Sequence, residues 1–233
     1  MDIDFNTDFE AGEVLLFDKP LYWTSFDLVK KVKNLIRNKY GYKKLKVGHA
    51  GTLDPLASGL MIICTGKKTK TIELLQGLDK EYAGTFKLGE TTPSFDLETA
   101  VDRKFNISHI SENKIISVLE SFVGQQDQIP PLFSAKNIDG KRAYEFARKG
   151  IDKELPPRPV VIHKLELLNF DMPYIKVRVS CTKGTYIRSL ARDIGFALES
   201  GAHLTELRRT YIGNYAVSEA MSINDFEEKL KTL

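Results

Sequence analysis

The chain is poor in sulfur and in histidine. Its 233 residues include two cysteines, four methionines, four histidines and one tryptophan. Cys64 and Cys181 each lie in an apolar run and neither has a CxxC partner, which speaks against a zinc site or a dithiol redox motif. They read as buried thiols in a reducing compartment. No apolar run approaches the ~20 residues of a membrane span. Met1 to Gly12 is polar and acidic and has no signal-peptide core. A cytoplasmic location is therefore expected. A GxGxxG turn, a P-loop and a His/Cys ligand cluster are also missing, so no cofactor or metal is expected.

Acid is scarce in one region. The formal net charge is only +3, but Asp54 is the only Asp or Glu between Asp27 and Glu73. The same interval carries Lys30, Lys31, Lys33, Arg37, Lys39, Lys43, Lys44, Lys46, Lys67, Lys68 and Lys70. Clustering of this kind, more than net charge, marks a nucleic-acid surface. Nearby cations favour the charged form of a carboxylate. That suits a nucleophile or base acting on a polyanion better than a proton donor.

Asp54 lies in Lys46-Val47-Gly48-His49-Ala50-Gly51-Thr52-Leu53-Asp54-Pro55-Leu56-Ala57-Ser58-Gly59-Leu60. The glycines allow close backbone approach or positive φ. Pro55 pushes Asp54 towards an extended conformation. The stretch predicts a rigid loop presenting one acid, followed by an apolar strand over Leu60 to Cys64. By itself, Asp-Pro is equally a plain turn.

Elsewhere the patterns predict a strand from Glu13 to Pro20 and a helix capped by Thr24 or Ser25 that runs through Val29, Val32 and Ile36. A helix is expected over Gly66 to Gln76. Glu81 to Gly89 alternates, with Tyr82, Gly84, Phe86 and Leu88 on one face. Ser111 caps a helix through Phe122, with Gly124 at C′. Thr91 to Asp102 is polar and turn-rich, and no chemistry is assigned to it. Val160 to Phe170 and Tyr174 to Cys181 read as a hairpin. A helix follows to about Glu199 with Tyr186 and Arg188 in its first turn. A last helix spans 223–231, and residues 1–11 read as a loose tail. Between Lys136 and Arg158 there are seven basic and four acidic residues, with prolines at both ends and a short helix, Arg142 to Lys149, inside.

Gly48-His49-Ala50-Gly51-Thr52-Leu53-Asp54-Pro55-Leu56-Ala57-Ser58-Gly59 resembles the central motif of the TruB family of tRNA pseudouridine synthases, whose aspartate is catalytic. The resemblance implies that role for Asp54. Lys19-Pro20 resembles the family's first motif. Glu81 to Gly89 resembles the motif whose tyrosine stacks on the target uracil, which implies Tyr82. Thr182 to Leu190 resembles a motif whose tyrosine lies under the active site and whose arginine pairs with the aspartate, which implies Tyr186 and Arg188. Gly201 to Thr210 resembles the closing motif, which places Leu207 in the uracil pocket. His49 is similar to the residue that takes the flipped base's place.

The implied fold is α/β: a mixed, mostly antiparallel sheet flanked by helices. Residues 12–233 form one catalytic domain, 124–159 an inserted thumb, and no further C-terminal RNA-binding domain is expected. The implied reaction isomerises uridine to pseudouridine at position 55 of the tRNA T-loop, without cofactor or metal, by a protein expected to be a monomer. Whether Asp54 attacks the sugar or removes a ribose proton is open from sequence. From the residues alone, Lys19 is as readily a solvated strand end, and Arg188 and Arg192 are an i, i+4 surface pair. Two other activities compete: a non-catalytic tRNA-binding factor, and an N-glycosidase, which would need a second acid.

Overall fold

The computed structural model describes residues 4, 6–134, 137–138, 141–142, 145–146 and 155–232. In chain order these residues contain β1 (Val14–Lys19), α1 (Ser25–Tyr40), β2 (Val47–His49), β3 (Ala57–Thr65) and a 3₁₀ turn (Gly66–Thr71) that runs into α2 (Ile72–Gly77). There follow β4 (Lys80–Leu88), β5 (Glu90–Thr91), β6 (Arg103–Lys104), α3 (Glu112–Ser121), β7 (Gly124–Gln128), β8 (Asn137–Ile138) and β9 (Lys141–Arg142). The chain continues through β10 (Arg158–Asp171), β11 (Tyr174–Cys181), α4 (Ile187–Ala197), β12 (Ala202–Ile212), β13 (Tyr215–Ala216) and α5 (Ile223–Thr232). The architecture is α/β, with a mixed, mostly antiparallel sheet and five α-helices among the described residues.

Two compact units divide the chain: Met1–Tyr82 with Leu207–Leu233, and Ala83–Glu206. The division falls within β4 and β12, so each unit holds part of both strands.

In the first unit the strand order is β1-β3-β12-β4, with β2 on β3 and β13 on β12. β1 and β2 run antiparallel to β3, whereas β12 runs parallel to it, with Leu207 opposite Ala57 and Arg209 opposite Gly59. β3 is apolar along its length because both of its faces are covered. On one face Leu16, Leu60, Ile62 and Cys64 pack with Ala50 and Ile212. On the other, Phe17 meets Phe226 of α5 edge-on, with ring centroids 5.2 Å apart. Helix α1 begins at a capping box in which the Thr24 hydroxyl accepts from Asp27 N and the Asp27 carboxylate accepts from Thr24 N. It ends at Gly41 in the left-handed conformation, φ 73°.

In the second unit β12-β4-β11-β10-β7 follow in order, and β5 pairs with β6. β10 and β11 form the expected hairpin, with Leu165 opposite Val179 and Leu167 opposite Val177. Ile175, Val177, Val179 and Cys181 are all buried, as their alternation predicts. β4 likewise buries Tyr82, Gly84, Phe86 and Leu88 on one face.

The structure corrects two expectations. Residues 9 and 10 are docked, because Phe9 is fully buried and meets Tyr40 edge-on at 5.2 Å, and Glu10 O accepts from Lys67 N at 3.2 Å. Gly124 opens β7, and Phe122 itself ends α3 in the right-handed region. The 124–159 stretch begins and ends in the sheet, since Gly124–Gln128 pairs with Arg158–Ile162. Most of the helix expected over Arg142 to Lys149 lies outside the described residues.

Gly59 has φ +105°, and a Cβ there would lie 2.7 Å from Arg209 N and closer still to Arg209 O. Both the conformation and the space exclude a side chain. Gly59→Ala should therefore cost about 3 kcal/mol or more of unfolding free energy. Urea denaturation checks this; a loss below about 1 kcal/mol would mean that β12 yields without cost.

Candidate functional site

The loop between β2 and β3 carries Asp54, half-buried, at its far end. Its shape comes from contacts to distant backbone and to one buried arginine. The Ser25 hydroxyl donates to Leu53 O at 3.0 Å and accepts from Leu53 N at 2.9 Å. Tyr22 N donates to Pro55 O at 2.7 Å. Both neighbours of Asp54 are thereby tied to the segment Tyr22 to Ser25, where α1 begins. Asp54 O accepts from Ala57 N at 3.0 Å, closing the turn into β3.

Arg209, on β12, is buried and spends its guanidinium on the same loop. Nε donates to Leu60 O at 2.7 Å, one terminal nitrogen to Gly51 O at 3.1 Å and the other to Thr52 O at 3.5 Å. The neighbouring Arg208 turns the other way and grips Asp18 with two bonds, of 3.0 and 2.6 Å.

Lys19 is fully buried at the end of β1, which removes the solvated strand-end alternative. Its ammonium donates to Pro20 O at 2.9 Å and Trp23 O at 2.7 Å. Burial pulls its pKa down to about 8; the negative charge of Asp54 acts in the opposite direction and is the largest influence holding it up. His49 is half-buried, and burial lowers its pKa against a hydrogen bond with the Gly51 backbone that raises it. Tyr82 is buried on the inward face of β4, and Leu207 is half-buried opposite Ala57. Lys19, His49, Asp54, Tyr82 and Leu207 thus all belong to the first unit.

Tyr186 and Arg188 belong to the second unit. Tyr186 is the N-cap residue of α4. The Gln128 amide holds its backbone from both sides, accepting from Tyr186 N at 2.7 Å and donating to Tyr186 O at 3.1 Å. Arg188 is buried, which corrects the alternative of a surface pair with Arg192. Its terminal nitrogens donate to Ser94 O at 3.2 Å and Phe133 O at 3.0 Å, and Nε lies 3.5 Å from the Asp96 carboxylate. Arg192 instead lies over the Phe95 ring, 4.7 Å from its centroid, and bonds Asp193 at 2.7 Å.

Sequence reasoning missed Ser25, Arg209, Gln128 and Asp96. Ser25 reads as a cap candidate, and its bonds to Leu53 span 28 positions. Asp96 falls in the polar stretch Thr91 to Asp102, to which no chemistry was assigned. The one available signal was Arg188 itself, since a buried guanidinium needs a carboxylate or carbonyls to meet it. No group of three or more His, Cys, Asp or Glu side chains among the described residues is placed to hold a metal ion. Nor, among them, is any helix long and apolar enough to cross a membrane.

Comparison with known proteins gives the family of the chain. The family described as "TruB family pseudouridylate synthase (N terminal domain)" matches residues 37–187. That described as "tRNA pseudouridylate synthase B C-terminal domain" matches residues 188–232. A tRNA pseudouridine synthase B of Phocaeicola vulgatus is 56% identical over 223 residues, covering 96% of this chain and 95% of its own. Its counterpart in Parabacteroides distasonis is 57% identical over 225 residues, covering 95% and 96%. Among solved structures, a chain of a Cbf5-Nop10-Gar1 complex is 30% identical with a TM-score of 0.69. That match covers 94% of this chain but only 54% of the solved one, so this chain spans about half of its length. The chain therefore belongs to the TruB family of pseudouridylate synthases and is, with that family, an isomerase.

Proposed function

We propose that this protein converts a uridine to pseudouridine in the T-loop of tRNA, at position 55, with Asp54 as the catalytic residue. One observation carries the assignment: Asp54 stands on a loop whose backbone is fixed on either side of it, within the field of the buried Lys19 ammonium. A carboxylate held in place is what a reaction at a ribose requires.

The isomerisation loses no atom. The N-glycosidic bond from N1 breaks, the uracil turns, its C5 bonds to the ribose, and the proton lost from C5 is matched by one gained at N1. Asp54 acts on the ribose. The target base is stacked in the T-loop and must leave the stack, which costs a few kcal/mol. Stacking on Tyr82 would return about 1–3 kcal/mol. His49, whose imidazole burial pushes towards its neutral form, serves as the plug that takes the base's place. Leu207 lines the uracil pocket. We assign Tyr186 and Arg188 the roles that the family resemblance implies for them. The T-arm is read through shape and phosphates, as stem-loop RNA usually is, by the basic residues between Lys30 and Lys46.

Asp54→Asn tests the assignment. Turnover of an unmodified T-arm stem-loop should become undetectable while binding stays within about tenfold, roughly 1.4 kcal/mol. If binding fell in step with turnover, Asp54 would be a binding residue and the catalytic assignment would fail. Release of free uracil would instead identify an N-glycosidase.

Lys19 gives a pH dependence. Its ammonium is charged below about pH 8 and neutral above it. The cation facing Asp54 is therefore present on the acid side and lost as the pH rises. The isomerisation rate should decline through an alkaline limb centred near pH 8. In Lys19→Arg, where the guanidinium keeps its charge, that limb should vanish. A limb of unchanged position in the arginine variant would remove Lys19 from the reaction.

A further inference from the structure

The segment that fixes Asp54 also carries apolar side chains that the fold does not use. Leu21, Tyr22 and Phe26 lie within six residues of one another, and all are exposed; Tyr22 is 78% and Phe26 70% accessible. Phe26 sits in the first turn of α1, away from its buried stripe of Ser25, Leu28, Val29, Val32 and Ile36. Tyr22 has φ 67°, a left-handed conformation that glycine adopts freely and a bulky residue rarely does. Residues held this way concentrate where the side chain serves a function. Here the strain places an aromatic ring in solvent rather than in the core.

The surroundings indicate what would cover it. Lys30 and Lys33 follow Phe26 along the same face of α1, one and two turns on. Two other cations of this helix are engaged elsewhere. Lys31 pairs with Glu227 at 2.6 Å, and Arg37 donates to Tyr42 O and Lys43 O. The stripe is therefore an exposed aromatic followed by two lysines directed outward. Rings joined to cations are how unstacked bases of RNA are held, the base on the ring and the backbone on the ammonium groups.

The stripe is also fixed to the candidate catalytic loop. Tyr22 N bonds Pro55 O, and Ser25 Oγ bonds Leu53 at both its N–H and its carbonyl. These contacts bracket Asp54, so a base held on this segment is held at a set position relative to the carboxylate. We propose that Tyr22 and Phe26 form a stacking platform for an unpaired base of the RNA substrate, with Lys30 and Lys33 taking its phosphates. This rests on the function proposed above and adds a substrate contact outside the pocket for the reacting uracil.

Binding of an unmodified T-arm stem-loop to the full chain tests it, measured across a salt series for the parent, Tyr22→Gly, Phe26→Ala and Lys30→Gln. Thermal melting checks the fold; Tyr22→Gly relieves a strained φ and should melt no lower than the parent. In Tyr22→Gly and in Phe26→Ala the Kd should rise about tenfold, with the slope of log Kd against log salt unchanged. In Lys30→Gln that slope should shrink by about 0.7 to 0.9. Trp23, the only tryptophan, lies between Tyr22 and Thr24, and its emission should be quenched when RNA binds the parent. A Kd within twofold of the parent in both ring variants, while the parent binds and isomerises the RNA, would overturn the platform alone. A parent that neither binds nor isomerises the stem-loop would overturn both the platform and the proposed function. An unchanged Kd with altered sedimentation would assign the rings to a second copy of this chain and likewise overturn the platform.

Discussion

Both neighbours of Asp54 in the chain are hydrogen-bonded to one short segment, and the candidate site depends on that clamp. Ser25 exchanges two bonds with Leu53, and Tyr22 holds Pro55. A single bond of this type contributes only about 0.5–1.5 kcal/mol net. The clamp matters because it sets geometry as well as adding stability. Its position follows from a local event, the capping box of Thr24 and Asp27, which fixes where α1 begins and hence where Ser25 stands. Lys19 extends the same block by donating to Trp23 O inside the clamping segment. A helix start, a strand end and the candidate catalytic loop thus share one set of hydrogen bonds.

Buried cations meet carbonyls throughout these elements. Lys19 ends on Pro20 and Trp23, Arg209 on Gly51, Thr52 and Leu60, and, in the second unit, Arg188 on Ser94 and Phe133. Carbonyl dipoles replace the lost water without cancelling the charge, so positive potential survives burial. The contrast is Arg208, which spends its guanidinium on Asp18. Desolvation shows directly in Lys19, whose pKa has dropped to about 8. A surface proposed to receive phosphodiester gains from cations left in this state. Arg188 is intermediate, with Asp96 at 3.5 Å as well as its two carbonyls.

Much of this was legible from sequence where the determinant is local. The capped amphipathic α1, the apolar β3, the alternation of β4 that buries Tyr82, and the β10–β11 hairpin all follow from patterns a few residues long. The family resemblance brought His49, Asp54, Tyr82, Tyr186, Arg188 and Leu207 to notice, although spacing alone would have left them ordinary. The illegible part is non-local. Arg209 reaches Gly51 across 158 positions, and Ser94 meets Arg188 across 94. No periodicity encodes such pairs. Strand β12 escaped a strand assignment because Arg208 and Arg209 interrupt its apolar pattern, and they are the residues it uses. Phe9, one of two phenylalanines in an acidic stretch, gave no sign that it is core.

The register of β12 against β3 ties these observations together. Arg209 lies opposite Gly59, and the absence of a side chain there lets the two backbones meet. From that position its guanidinium bonds Leu60 on the strand and Gly51 and Thr52 on the loop. Gly51, at φ +111°, takes a backbone conformation that other residues rarely adopt. A slip of one residue would exchange the faces of Arg208 and Arg209. The loop would then lose its two carbonyl contacts and the strand its one, and the Arg208–Asp18 pair would break. Glycine at 51, glycine at 59 and arginine at 209 are therefore one requirement expressed at three positions. The backbone presenting Asp54 takes its shape from a strand that enters the chain some 150 residues later, and a mutation at either end acts on the same carboxylate.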